Sequence, residues 1–404
     1  MTALEVEISS DDKEIIDICQ LYWVLDDEGK FSHAVYDIAE ETNFIPNHIT
    51  NIARQYSQAS SPAYARTSCT TRFYFKTRNE YMQRSRYKNI QCESCLSKVK
   101  EQRRVEKIVA INQLNFERQL NEFNPDNASL KDCVYLLSLI RWAGADNLEY
   151  IEPYFAHRAT KLSPSFELDI DIIEGLYDSG FLGISTYSDL NQINLEDDGS
   201  TSFHLGRVCL TPLFNSKNTN LVDLIKTIEE KLTHPNEWSH EWKSELIELC
   251  VLVSVEECLA FLSLMLEERN FPEKRGKKTK ASIEKALTKY SVSQVYCFIY
   301  VAAINASDYY RKYSPSPDRA SNTVCGKITR LYENAIAEDK AVKSFERNFK
   351  LPQPEISQLI FNCIMKTNDG GFKKNLSELL ACFLHEATNQ EAEDSGFNDT
   401  ASNK

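Results

Sequence analysis

The longest apolar stretch of the chain runs from Leu249 to Leu266, and Glu256 and Glu257 stand side by side in its middle. A run of that length approaches what a bilayer requires, but two adjacent carboxylates at bilayer depth would be very costly. The pattern therefore predicts a helix buried inside the protein rather than a membrane span. A helix apolar on most sides needs other helices to cover it, which makes a helical bundle the natural setting.

The sequence around this stretch agrees with that expectation. Between residues 216 and 388 the spacing predicts helices over Asn220–Thr233, His240–Asn270, Ala281–Tyr313, Ser321–Phe349 and Glu355–Thr367. Pro235, Pro272, Pro315, Pro317, Pro352 and Pro354 punctuate them, where helix-excluded residues belong. The fold class read from the chain is mainly α, in five parts: residues 1–57, 58–125, 126–215, a helical bundle over 216–388, and a disordered tail over 389–404, which lacks a core pattern.

Residues 126–215 have a readable order. A helix begins after Ser129 and runs to Trp142, a second lies near Leu148–Arg158, and a third places Ile170, Ile173 and Tyr177 at helical spacing. Ser179-Gly180 supplies a left-handed stop, and two strands, Phe181–Ser185 and Phe203–Leu210, flank a polar loop over Ser188–Ser202. Three helices and a two-stranded wing resemble a winged-helix domain. The third helix carries Glu167, Asp169, Asp171, Glu174 and Asp178, which would repel phosphate, so packing or protein contact is the expected role here.

Charge is distributed unevenly. The chain of 404 residues has a net charge of −13. Residues 1–50 balance at −10, residues 51–107 at +9, and the remainder at −12. A basic island in an acidic chain points to a local polyanion contact. Beside it lies Val35–Tyr56. Ile38-Ala39 puts a small residue where two helices cross, Asn43 suits a left-handed turn, and Phe44 plugs the corner. Pro46 suits the first turn of the next helix, whose Ile49, Ile52, Ala53 and Tyr56 share one face. Asn47, His48, Thr50, Asn51, Arg54 and Gln55 are left outward or flanking. Such side chains read grooves: Asn and Gln hold adenine bidentately, Arg holds guanine or phosphate. The segment resembles the helix-turn-helix of bacterial regulators, which implies DNA as partner.

Residues 58–125 hold a Ser/Thr/aromatic stretch, a CxxC pair and a charged helix over Leu96–Phe123. Between Cys69 and the pair Cys92 and Cys95, strand character over Arg72–Lys76 and a short helix over Asn79–Gln83 resemble a zinc ribbon. Position 72 is Arg72, so the ligand set of four thiolates is incomplete and stable metal binding is not expected. Arg72, Lys76, Arg78, Arg84, Arg86 and Lys88 interleave with Phe73, Tyr74, Phe75, Tyr81 and Tyr87, a pattern suited to tracking phosphates and stacking on bases. A second cluster, Lys274, Arg275, Lys277, Lys278 and Lys280, falls between two predicted helices, where solvation is the ordinary explanation.

Other chemistry leaves no mark. There is no P-loop, no G-x-S-x-G, no H-E-x-x-H and no G-x-G-x-x-G, so no cofactor is expected. The 12 cysteines show no disulfide framework and sit mostly in apolar patterns, as free thiols of a reducing compartment do. Met1–Asp17 lacks both a basic n-region and an apolar h-region. These readings converge on a cytoplasmic, non-enzymatic, DNA-binding protein whose C-terminal helices bind a protein partner or self-associate, with no membrane role. Two alternatives stay open: an adaptor without nucleic acid, and an enzyme with an active site in residues 216–388.

Overall fold

In the computed structural model, residues 4–61, 72–84, 93–156, 160–196, 198–215, 220–273 and 275–383 are described. The chain is mainly helical, as the sequence predicts, and divides into two compact units, Met1–Glu106 and Lys107–Lys404.

The first unit opens with a strand, β1 (Glu5–Ile8), whose alternation turns Val6 and Ile8 toward the core and leaves Glu5 and Glu7 outside. Three helices follow: α1 (Lys13–Trp23), α2 (Val35–Glu41) and α3 (Pro46–Tyr56). Asp12 caps α1, and the Asp37 carboxylate accepts from the Ala34 N–H at the start of α2. Asn43 takes φ 57° in the corner between α2 and α3, and the Phe44 N–H reaches back to Ala39 O at 3.0 Å. Strands β2 (Ser57–Ser60) and β3 (Tyr74–Phe75) complete an antiparallel sheet of order β1-β2-β3, with Glu5 opposite Ser60 and Ala59 opposite Phe75. A short helix, α4 (Arg78–Met82), closes the unit's core: Phe75, Tyr81 and Ala59 pack with Ile18, Trp23, Ile38, Ile49 and Ala53. Residues on both sides of the expected 57/58 boundary thus share one core, because β2 leaves α3 without a break and pairs with the N-terminal strand. The helix α5 (Glu93–Arg118) follows, starting earlier and ending sooner than Leu96–Phe123.

The second unit contains α6 (Leu130–Ala143) and α7 (Phe166–Asp178), capped by Ser129 and Ser165. Gly180, at φ 82°, ends α7, with the Phe181 N–H on Leu176 O at 3.0 Å. Strands β4 (Leu182–Ile184) and β7 (Leu210–Pro212) pair, as do β5 (Ile193–Leu195) and β6 (Thr201–Phe203), so the expected polar loop holds β5 and most of β6, and the strand expected over Phe203–Leu210 is interrupted by a 3-10 turn at Leu205–Arg207. The helix expected near Leu148–Arg158 is not formed over its described residues, 148–156. Leu148 is left-handed (φ 56°), and Ile151 exchanges backbone hydrogen bonds of 2.8 and 2.9 Å with Leu210, leaving only a 3-10 turn over Tyr154–Ala156.

Next come α8 (Leu221–Thr233), α9 (His240–Glu267), α10 (Lys277–Leu287), α11 (Val292–Tyr313) and α12 (Pro317–Ala337). The single helix expected over Ala281–Tyr313 is two. Ser291 and Gln294 form a capping box that starts α11 afresh, while α10 begins at Lys277. The helix expected over Ser321–Phe349 stops at Ala337, and Asp339 is left-handed at φ 46°. The last predicted helix is a short α13 (Glu355–Ser357) running into a π-helical stretch, Gln358–Ile364. A first core joins α6, α7 and the β4–β7 pair to α8, the first half of α9 and residues 356–383. A second core joins the rest of α9 to α10, α11 and α12. The expected 215/216 boundary therefore crosses a shared core. Among the described residues α9 is the one helix long and apolar enough to span a bilayer, and 78% of its most apolar window is buried inside the protein.

On α7 the Asp169 carboxylate, 5% exposed, accepts from Tyr154 Oη at 2.7 Å and Ser163 N at 2.8 Å. Burial pushes its pKa up to about 6, against the pull of those hydrogen bonds. The folded state then holds the proton more tightly than the unfolded chain, so this stabilising contribution is complete below about pH 4 and lost as pH rises through about 6. Asp169→Asn removes the penalty. Urea unfolding at about pH 4.5 and about pH 7.5 should show the variant gaining on the wild type at the higher pH, by on the order of 3 kcal/mol at most. An unchanged difference between the two proteins would contradict this.

Candidate nucleic-acid interface

The outward face of α3 is set by what lies beneath it. Ile49 and Ala53 are fully buried and Ile52 is 8% exposed, so helical periodicity turns Asn47, His48, Asn51, Arg54 and Gln55 to solvent. Thr50 is half-buried, and its hydroxyl donates to Pro46 O at 3.3 Å. The His48 ring lies 4.9 Å from Phe44, and Gln55 Nε2 donates to Tyr56 Oη at 3.2 Å. No carboxylate occurs anywhere in α3. Glu40 and Glu41, at the end of α2, are exposed.

The helix is held from below by a relay. Trp23 Nε1 donates to Ser57 Oγ at 2.8 Å, and Ser57 Oγ donates to Ala53 O at 2.7 Å, tying α1 to the end of α3. Both bonds are buried, where removing one partner strands the other.

The basic segment is more committed to the fold than its sequence implies. Arg78 does not face solvent as a phosphate contact would. Its guanidinium donates to Tyr22 O, to His33 O at 2.7 Å and to Leu21 O at 3.3 Å, and lies 4.4 Å from both the Tyr22 and Phe31 rings. It thereby satisfies carbonyls at the C-terminal end of α1, where a cation also suits the helix dipole. Burial lowers its pKa. Arg84 is half-buried, with Nη1 on Tyr81 O at 3.2 Å and its guanidinium 4.5 Å over the Tyr81 ring. Arg72 is exposed and paired with Glu5 of β1. Lys76 is exposed.

The aromatics divide likewise. Phe75 and Tyr81 are 1% and 2% exposed core residues, unable to stack on bases. Tyr74 is 37% exposed, with its hydroxyl on Glu7 Oε1 at 3.2 Å. Arg86, Lys88, Tyr87, Cys69 and Cys92 lie outside the described residues. Cys95 is half-buried in the first turn of α5, and no group of three metal-ligating side chains forms among the described residues.

Sequence reasoning missed β1, although Glu5-Val6-Glu7-Ile8 alternates with the period of a half-buried strand. That strand brings Glu5 and Glu7 beside Arg72, Gln58 and Tyr74. Comparison with protein-family models, curated proteins and solved structures finds no significant match to this chain.

The clamp has a testable consequence. Arg78→Ala leaves backbone carbonyls of α1 without their donor and should destabilise the first unit by about 1.5–3 kcal/mol, the range for hydrogen bonds to a charged group. Arg78→Lys should not rescue it, because one ammonium cannot replace a planar fork over several carbonyls. Hydrogen exchange of α1 and α3 in the full chain reports the loss. Wild-type protection in both variants would show that Arg78 is a surface cation.

Proposed function

We propose that this protein binds duplex DNA through its first unit and acts without catalysis, as a regulator or a DNA-tethered adaptor in the cytoplasm. The carrying observation is the outward face of α3. Asn47, His48, Asn51, Arg54 and Gln55 are exposed together, on a helix free of carboxylates, directly opposite the buried Ile49 and Ala53. Amide and guanidinium groups so arranged match the donor and acceptor pattern of base edges in the major groove. In this reading α2 and α3 are a helix-turn-helix, and the β2–β3 pair is the stem of a wing.

The acids of α2 oppose close approach of phosphate and weigh against high non-specific affinity. With Arg78 and Arg84 engaged in the fold, sequence-independent attraction by this unit is also weaker than its net charge suggests. Readout of bases then carries more of the discrimination.

In the second unit α7 and the β4–β7 pair form the winged-helix-like middle region, and the helices around α9 form the bundle. Glu167, Asp171, Glu174 and Asp178 are exposed on α7, which suits a protein contact better than DNA. This second surface is also what an adaptor without nucleic acid would use.

A good base-edge pair is worth about 1–3 kcal/mol of discrimination. Duplexes selected from a random pool by the full chain supply a preferred site. Asn51→Ala and Arg54→Ala should each weaken binding to that site about tenfold or more while leaving affinity for random duplex and the folded state nearly unchanged. Equal losses on preferred and random DNA, or no loss, would show that α3 does not read bases and would make the adaptor reading the better one.

A further inference from the structure

The helix α10 begins at Lys277, earlier than the sequence pattern indicates, so lysines expected in a loop stand on a helix. Thr279, Ser282, Ile283, Ala286 and Leu287 are its buried side. At about 100° per residue, Lys277, Lys278 and Lys285, with Lys289 just past the helix end, fall in one sector of about 120°. All four are exposed. Among the described residues none of them is in an ion pair, whereas Arg275 bonds to Glu167 and Glu273, and Lys280 lies 3.6 Å from Glu256. Ala281 and Thr288 are the other exposed positions in that sector, so no carboxylate interrupts it.

The N-terminal part of this arrangement works against the helix that carries it. Lys277 and Lys278 place cations at the positive end of the dipole, and no acidic residue stands in the first turn. Lys285, in the last turn, suits the negative end of the dipole, and Lys289 just past the helix end adds a further positive charge beside it. Four exposed lysines in one sector, none in an ion pair among the described residues, leave a positive face with nothing on the protein to neutralise it. The face spans about 18 Å, long enough to follow several phosphates of a duplex.

We propose that the lysine face of α10 is a second nucleic-acid contact, binding the phosphate backbone without sequence preference. The proposal rests on the reading of the protein as a DNA binder and adds the second unit to its contact surface. Such a face supplies the counterion-release attraction that the engaged arginines of the first unit do not.

The experiment measures the salt dependence of duplex affinity by fluorescence anisotropy, using the full-length wild type and the variant K277Q/K278Q/K285Q/K289Q. Every phosphate that the variant fails to neutralise should reduce the log–log slope by about 0.9, so the variant's slope should be shallower by about 2 to 4 units. Its melting temperature should hold or rise, since like charges are removed. A charge-matched variant, K226Q/K312Q/K343Q/K374Q, should keep most of the slope. Equal slopes for wild type and the α10 variant overturn this proposal alone, because the wild type still binds DNA. Equal reductions in both variants overturn it in favour of net charge. No duplex binding by the wild type overturns it together with the function it rests on. Lysine-dependent binding to phosphatidylserine vesicles, with the DNA slope unchanged, overturns it in favour of a lipid surface.

Discussion

Glu257 sits in the middle of the longest apolar helix, 4% exposed, at the point where α9 passes from one core of the second unit into the other. A carboxylate so placed must be paired or protonated, since an isolated buried charge costs several kcal/mol. Arg347 Nη1 reaches it at 2.9 Å and Ser357 Oγ at 2.9 Å. Burial still raises its pKa, with Arg347 and Ser357 pulling the other way. The Arg347 guanidinium also covers the Phe372 ring at 4.6 Å, and Tyr296 of α11 donates to Glu257 O at 3.3 Å while stacking on Phe261 at 3.9 Å. Through its carboxylate Glu257 therefore ties α9 to the segment around Arg347 and to Ser357 of α13, and through its backbone carbonyl to α11. Past α12 the chain runs without regular structure to α13, where the Glu355 and Ile356 N–H groups bond to Lys161 O and Leu162 O at 2.9 and 3.0 Å.

The first unit answers a similar demand with a cation. Arg78 closes the end of α1, and the Trp23–Ser57–Ala53 relay fixes that helix against α3. The polar face of α3 is then presented by a frame in which Trp23, Ser57 and Arg78 are all paired, which favours a precise contact surface. The same division explains how the positive charge of residues 51–107 is used. Part of it builds the frame, and Arg54 is the cation left on the α3 face. The second unit divides its cations in the same way: Arg275 and Lys280 face carboxylates, and Lys277, Lys278, Lys285 and Lys289 are left outward.

Much of this was legible in the sequence, for physical reasons that differ by element. The corner between α2 and α3 could be read because Asn43, Phe44 and Pro46 each satisfy a local backbone requirement. The buried side of α3 could be read from periodicity alone. The course of α9 was visible because Glu256 and Glu257 exclude a bilayer. Local pattern fails where tertiary pairing decides. Nothing near Ile151 announces that its backbone pairs with Leu210, and the helical spacing around it is real but overruled. Arg78 resembles any basic surface residue, since the carbonyls it serves belong to residues 21, 22 and 33. The break between α10 and α11 is, by contrast, written in Ser291 and Gln294 as a capping box, and the longer apolar pattern running across it hides that signal.

The central claim is that the exposed face of α3 lies against DNA. Hydrogen exchange of the full chain, free and saturated with duplex at low salt, tests it at residue level. The account predicts slower exchange in peptides covering Pro46–Tyr56, because backbone pressed into a groove is shielded from solvent and its opening is suppressed. The fully buried segments of α9 and α11 should be unchanged. Unaltered exchange throughout Pro46–Tyr56 in a DNA-saturated sample, or failure to bind duplex at low salt at all, would contradict the account.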